Sequence, residues 1–316
     1  MTMLTAASPR SLKHQTAPSP LSYRGRFAPS PSGALHFGSL IAALGSALEA
    51  RCQGGQWLLR IEDVDAPRSI AGASDRILHD LEAYGFTWQG SVLYQSQRLA
   101  AYAAALETLK TQGAVFACHC SRKEIADSAS RRSIDGAAIY PGTCRHAQHT
   151  VARAWRMRVG EGSIAFSDAV QGEQSQDLAH EVGDFILRRA DGQFAYQLAV
   201  VVDDAWQGVT HIVRGADLLD SSARQILLQQ HLGLPTPHYA HLPVATNSAG
   251  EKLSKQTLAP ALNAAQARTH LLAALNFLGQ QAPAELAKAT VAEIWAWAQA
   301  HWSLQRVPKV RSITSG

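Results

Sequence analysis

Apolar and polar positions along the 316-residue chain alternate between two periods. Residues 22–28 read as a short strand, Pro29-Ser30-Pro31-Ser32-Gly33 as a stiff turn, and residues 38–51 carry apolar side chains at helical spacing. Residues 57–61 read as a second buried strand ending in Glu62-Asp63-Val64-Asp65, and helical patterns follow at 74–84 and 98–112. That alternation predicts an α/β fold with a doubly wound parallel sheet. From residue 115 to about residue 182 the pattern changes to short strands and loops that hold three of the four cysteines, which predicts an inserted subdomain. Strand patterns resume at 194–203 and 208–215, with a helix at 221–232. After Ser254 the chain is rich in Ala and Leu, with helical spacing at 264–278 and 291–302, which fits a small C-terminal helical part. The organisation expected is therefore a disordered extension (1–22), one α/β domain in two halves (23–114 and 183–235) around the insert (115–182), and a loop with a helical end (236–316).

Composition narrows this picture. Hydrophobic residues make up 46% of the chain and charged residues 17%, against a typical charged share of about 25%, so a sizeable core can form and a disordered polyampholyte is excluded. With 29 Lys and Arg against 25 Asp and Glu, the surplus permits an anionic partner without requiring one, because nucleic-acid binding depends on a clustered basic face. The apolar run at 40–48 is broken by Gly45 and Ser46 and falls short of the roughly 20 residues that span a bilayer, so no membrane segment is expected. Four cysteines without disulfide-dense spacing point to a reducing compartment. The acid-free first 22 residues read as the loose start of a cytoplasmic protein, and a monomer is expected.

Two segments carry candidate chemistry. The run from Arg26 to Ser39 places a rigid turn and then His36 at the entrance to a helix, where backbone N–H groups and the helix dipole favour phosphate. Far along the chain, Gly250 precedes Lys252-Leu253-Ser254-Lys255-Gln256, whose two lysines can face a triphosphate and offset charge as pyrophosphate leaves. Either segment alone is an ordinary turn or a solvated charge pair. Together, across an interrupted α/β pattern, they resemble the paired His-Ile-Gly-His and Lys-Met-Ser-Lys-Ser motifs of class I aminoacyl-tRNA synthetases. The run 26–39, Ile61-Glu62-Asp63-Val64-Asp65, and the run 207–217 around Arg214-Gly215 are similar to the glutamyl branch, so the resemblance covers residues 23–259. Ser39 departs from the first motif, and Leu253 and Gln256 depart from the second; both lysines remain.

The resemblance implies a Rossmann-like catalytic domain that uses ATP with Mg²⁺ to activate L-glutamate. It makes His36, Lys252 and Lys255 catalytic, places ATP at His36, Gly38, Ser39 and Lys255, and places glutamate among Arg26, Phe27, Ala28, Pro29, Ser30, Glu62, Tyr196 and Arg214. The chemistry agrees, since a dicarboxylic amino acid calls for guanidinium forks and at least one carboxylate for its ammonium. The stretch after Lys255 reads as one short helical unit, where a glutamyl-tRNA synthetase carries a large anticodon-binding region. That pattern resembles the glutamyl-Q tRNA(Asp) synthetases, which attach glutamate to the queuosine base of tRNA(Asp). The alternatives are a shortened enzyme charging the 3′ end of tRNA(Glu), and a silent nucleotide- or RNA-binding relative.

Cys118, Cys120 and Cys144 read as thiolate ligands of a structural Zn²⁺. His119, His146, His149 and Tyr140 can each supply the fourth ligand; the resemblance favours Tyr140. Cys52 reads as a core residue.

Overall fold

A computed structural model describes residues 22–132, 136, 138–147, 149, 152–253 and 260–315. The expectations for residues 1–21 and for Lys255 fall outside them.

In chain order the first elements are β1 (Arg24–Phe27), α1 (Phe37–Cys52), β2 (Gln56–Ile61), α2 (Ala73–Ala83), β3 (Leu93–Tyr94) and α3 (Leu99–Thr111). β1, β2 and β3 pair in parallel, in that order. Next come β4 (Val115–Cys118), α4 (Arg122–Ser128), β5 (Ala154–Met157), β6 (Ser163–Asp168), β7 (Gly172–Asp177), α5 (Leu178–Glu181) and β8 (Ile186–Arg188). β4, β5 and β8 form an antiparallel sheet, and β6 and β7 form an antiparallel pair. The chain closes with α6 (Tyr196–Trp206), β9 (His211–Gly215), α7 (Ser222–Leu232), β10 (His238–Leu242), β11 (Val244–Thr246), α8 (Ala267–Phe277), α9 (Val291–His301) and β12 (Ser312–Thr314). β9 and β6 flank β10 in parallel, and β11 pairs with β12 in parallel. The architecture is α/β with mostly parallel sheets. β9 lies beside β1, joined where the Thr210 amide donates to the Arg24 carbonyl at 2.9 Å.

One expected strand is a helix. Residues 194–203 form a continuous apolar run, and such a run fits a buried strand or a buried helix equally well. Here the segment is β-like only to Ala195, and Tyr196–Trp206 is α6, with Leu198, Ala199, Val200 and Val201 all buried. The strand expected at 208–215 is shorter: Gly208 turns with φ of 65°, and β9 begins at His211.

Helix α1 is central because nearly its whole length is buried. Leu40, Ile41, Leu44 and Leu48 share a core with Phe27, Trp57, Leu59 and Ile61 below and with Leu271, Leu275, Ile294 and Trp295 of α8 and α9. Gly45 has a packing reason: a Cβ there would stand 2.5 Å from Leu242 Cδ1, so an alanine would force that core side chain to shift. The helical end of the chain therefore pins the helix whose N-terminus opens the cleft described next. Among the described residues, no helix is long and apolar enough to cross a membrane.

Candidate active site

A cleft of about 800 Å³ opens at the carboxyl ends of β1, β2, β9 and β10 and at the N-terminus of α1. Open α/β sheets bind ligands at this edge because strands end and helices begin there. Among the described residues, every one expected for catalysis, glutamate or ATP lines the cleft: Arg26, Phe27, Ala28, Pro29, Ser30, His36, Gly38, Ser39, Glu62, Tyr196, Arg214 and Lys252.

Its phosphate-facing end is built by two segments. His36 is the N-cap of α1 and its Nδ1 accepts the Ser39 amide at 3.4 Å. The loop before it is stiffened by prolines and tied to the acidic segment, with the Glu62 amide on the Pro29 carbonyl at 3.0 Å. The described start of the lysine segment, Lys252-Leu253, borders this entrance: Leu253 donates its amide to the Ala245 carbonyl at 2.8 Å, and its own carbonyl lies 3.4 Å from where a Gly38 Cβ would stand. Early histidine turn and late lysine segment thus share one cavity. Lys252 Nζ pairs with Asp217, another cleft residue.

The floor is a buried ionic network. Asp204 Oδ1 accepts Arg26 Nε at 3.1 Å and Arg60 Nη1 at 2.8 Å, Oδ2 accepts Arg26 Nη2 at 3.4 Å, and Arg60 Nη2 reaches Glu62 at 3.3 Å. The two carboxylates differ. Burial raises the pKa of both, but in Asp204 the two adjacent guanidiniums outweigh it and hold the acid below its usual range. For Glu62, burial wins over the pull of Arg60 and Arg26, and the carboxyl is pushed above its usual range. Glu62 is a buried carboxylate with a single long ionic contact, facing a cleft, and an arriving ammonium would stabilise its charged form.

Opposite, Arg214 on β9 is buried and held by three neighbours: His241 Nε2 accepts its Nε at 2.9 Å, while Ser222 Oγ at 2.9 Å and the Leu218 carbonyl at 3.3 Å accept Nη2. Its Nη1 lies 3.5 Å from Tyr196 Oη, at the first turn of α6. The helix thus sets Tyr196 at its N-terminus, lining the cleft, and Asp204 two turns later, buried on Arg26 and Arg60.

Sequence reasoning missed Arg60, Asp204, Asp217, His241 and Asp168. Asp203-Asp204 at the end of an apolar run was the readable signal, since acids in such a run are buried and so must be partnered. Asp203 is indeed bound by Arg98, Gln95 and Tyr102.

The three cysteines expected as ligands converge, their sulfurs within 4.8 Å of one another. Cys120 and Cys144 sulfurs are 3.6 Å apart, and Tyr140 Oη lies 3.5 Å from Cys118 Sγ and 3.6 Å from Cys120 Sγ. Tetrahedral zinc with Zn–S near ~2.3 Å has S···S edges of about 3.8 Å, so these donors fit that ion. Burial raises the Cys144 thiol, but hydrogen bonds from the His119 amide, Tyr140, His149 and Cys120 outweigh it and bring it down to about 6. Arg156 Nε donates to Cys118 Sγ at 3.4 Å. The His119 and His149 rings meet at 4.1 Å, tilted 49° to each other, beside the cluster, and His146 is exposed. Cys52, expected in the core, is exposed at the end of α1 and donates to the Gln299 carbonyl, because the last helical turn lies at the rim of that packing.

The family of class I tRNA synthetases (E and Q), catalytic domain, matches residues 22–279. The chain is 61% identical over 281 residues to the glutamyl-Q tRNA(Asp) synthetase of Dechloromonas aromatica, covering 88% of this chain and 93% of that protein. It is 60% identical over 281 residues to the protein of the same name from Aromatoleum aromaticum, with 88% of each covered. A solved glutamate-tRNA synthetase from Elizabethkingia anophelis superposes with a TM-score of 0.76 at 22% identity, over 93% of this chain and 68% of that one; at this identity the likeness speaks for the fold.

Proposed function

The chain belongs to the class I tRNA synthetases of the E and Q type, and from that premise we propose that it activates glutamate with ATP and transfers it to the queuosine base of tRNA(Asp). The observation that carries the reading is the single cleft that holds guanidiniums, a poorly paired buried carboxylate and a helix N-terminus, in a chain 61% identical to a glutamyl-Q tRNA(Asp) synthetase.

In this reading Arg26 and Arg214 take the two carboxylates of glutamate, Glu62 takes its ammonium, and Tyr196 donates a hydroxyl. Phe27, Ala28, Pro29 and Ser30 shape the wall beside them. Asp204 occupies Nε and Nη2 of Arg26, which leaves Nη1 as the edge turned to the substrate. ATP lies with its phosphates at His36, Gly38 and Ser39, and Mg²⁺ travels with the triphosphate. An α-carboxylate oxygen attacks the α-phosphorus, the bond to pyrophosphate breaks, and glutamyl-adenylate remains. His36, Lys252 and Lys255 stabilise the charge that builds on the phosphate oxygens. The Lys252–Asp217 pair holds that lysine at the entrance, from which it swings to the phosphates when ATP arrives. A queuosine ring hydroxyl then attacks the acyl carbon and AMP leaves; a base displayed in a single-stranded loop can enter such a cleft.

Cys118, Cys120, Cys144 and Tyr140 would hold Zn²⁺, whose contribution there would be structural, tying β4 to the loop after α4. The cleft fits a Rossmann-like, doubly wound catalytic core with the zinc site in an insert. Glutamate-dependent exchange of labelled pyrophosphate into ATP tests the reading. Exchange that needs glutamate supports it, and its absence in folded protein contradicts it.

A further inference from the structure

Behind the cleft lies a buried pair of side chains that contacts no expected substrate. Asp168 ends β6, His241 is on β10 and Arg214 is on β9; the parallel order of these strands brings the three together, with His241 in register with Arg214. His241 Nδ1 is 2.6 Å from Asp168 Oδ2, and the two side chains have no solvent exposure. Asp168 Oδ1 accepts the amides of Val170 at 3.0 Å, Gln171 at 2.8 Å and His241 at 3.1 Å, so the carboxylate cannot turn. On the other side of the ring, Nε2 is 2.9 Å from Arg214 Nε. A guanidinium only donates, so Nε2 must be the acceptor and the ring proton must sit on Nδ1, given to Asp168.

We propose that Asp168 and His241 are positioning residues: the carboxylate locks the imidazole in its Nδ1–H tautomer, and the Nε2 lone pair holds Arg214 so that its Nη1 faces the substrate carboxylate. The inference rests on the reading of Arg214 as a glutamate ligand. Burial keeps the ring neutral, pushing it down to about 4 with Arg214 acting in the same direction, while Asp168 and Asp217 pull the other way. Tyr239 stacks on the ring at 6.0 Å and 13°, which fixes its plane. With Ser222 and Leu218 on Nη2, the guanidinium is held at Nε and Nη2 and presents only Nη1 to the cleft.

Asp168→Asn tests this. The amide keeps an oxygen for the three backbone donors but turns an N–H toward Nδ1, which moves the ring proton to Nε2, where it opposes Arg214. The expected result is a rise of about 10- to 100-fold in KM for glutamate in pyrophosphate exchange, the range of one lost hydrogen bond to a charged group. KM for ATP should be unchanged, a split that general loss of structure does not produce. In ¹⁵N-histidine NMR the wild-type His241 should show a protonated Nδ1 and the variant a protonated Nε2. His241→Gln, whose side-chain oxygen reaches the Nε2 position, should retain more glutamate affinity than His241→Ala. A protonated Nε2 in the wild type overturns the proposal, as does a wild-type KM in a variant whose tautomer has flipped. If Asp168→Asn does not fold, the wild-type tautomer and the His241 variants decide. Absence of exchange in the wild type would overturn the functional reading instead, and the tautomer measurement, which needs no substrate, still judges the relay.

Discussion

Replacing Asp204 by alanine removes the anion shared by two buried guanidiniums. Arg26 and Asp204 side chains are 4% exposed and Arg60 is fully buried, so no water can take over. Breaking a buried ion pair by removing one partner costs roughly 3–5 kcal/mol, because the remaining charge stays desolvated. Both cations lose this anion, but Arg60 keeps Glu62 at 3.3 Å and Gln207 Oε1 at 2.7 Å, which offset part of the loss and place Asp204→Ala at about 3 kcal/mol. For a chain of this size, at about 2–4 °C per kcal/mol, the melting temperature should fall by about 6–12 °C. Asp204→Asn keeps an acceptor oxygen and should fall less. The assay is thermal unfolding followed by circular dichroism at low and high salt; buried contacts are little screened, so the drop should persist at high salt. A drop below ~2 °C, or one erased by salt, would refute the idea that this network holds the floor together.

Lys255→Ala should slow glutamate-dependent pyrophosphate exchange by about 10²- to 10³-fold, the scale of a lost oxyanion donor, and Lys252→Ala should slow it in the same direction; an unchanged rate removes that lysine from the mechanism. Metal analysis should find about one zinc per chain, and Cys118→Ser with Cys120→Ser should lose it and lower thermal stability; zinc-free, equally stable wild type would contradict the site. His241 also sets a pH dependence. Its folded value of about 4 lies below the ordinary 6.5, so between these values the unfolded chain binds a proton that the folded chain does not. Its stabilisation is complete above pH 6.5 and declines as pH falls to 4, by about 3 kcal/mol over the window. Urea midpoints at pH 7.5 and 5 check this, and His241→Asn should flatten the decline.

Local signals carried most of the frame. The turn after β1, the α1 pattern and the strand ending in Glu62 were readable because each is set by spacing within a few residues. α6 was not, since an apolar run lacks the polar positions that separate period 2 from period 3.6. The ion pairs beneath the cleft were also hidden: Asp204 meets Arg26 and Arg60 across 178 and 144 positions, and Asp168 meets His241 only through the β6–β10 pairing. Which charged residues would face the cleft could be inferred from their types and motifs. Which of them would be consumed by one another could not, because that depends on strand order.

The proposed reaction loads glutamate onto a modified base in this cleft. Labelled glutamate should be transferred to tRNA(Asp) containing queuosine and not to the same tRNA lacking it, and transfer should persist after the 3′ terminal adenosine has been removed. Transfer to tRNA(Glu) that requires an intact 3′ diol, with none to queuosine-containing tRNA(Asp), would contradict it.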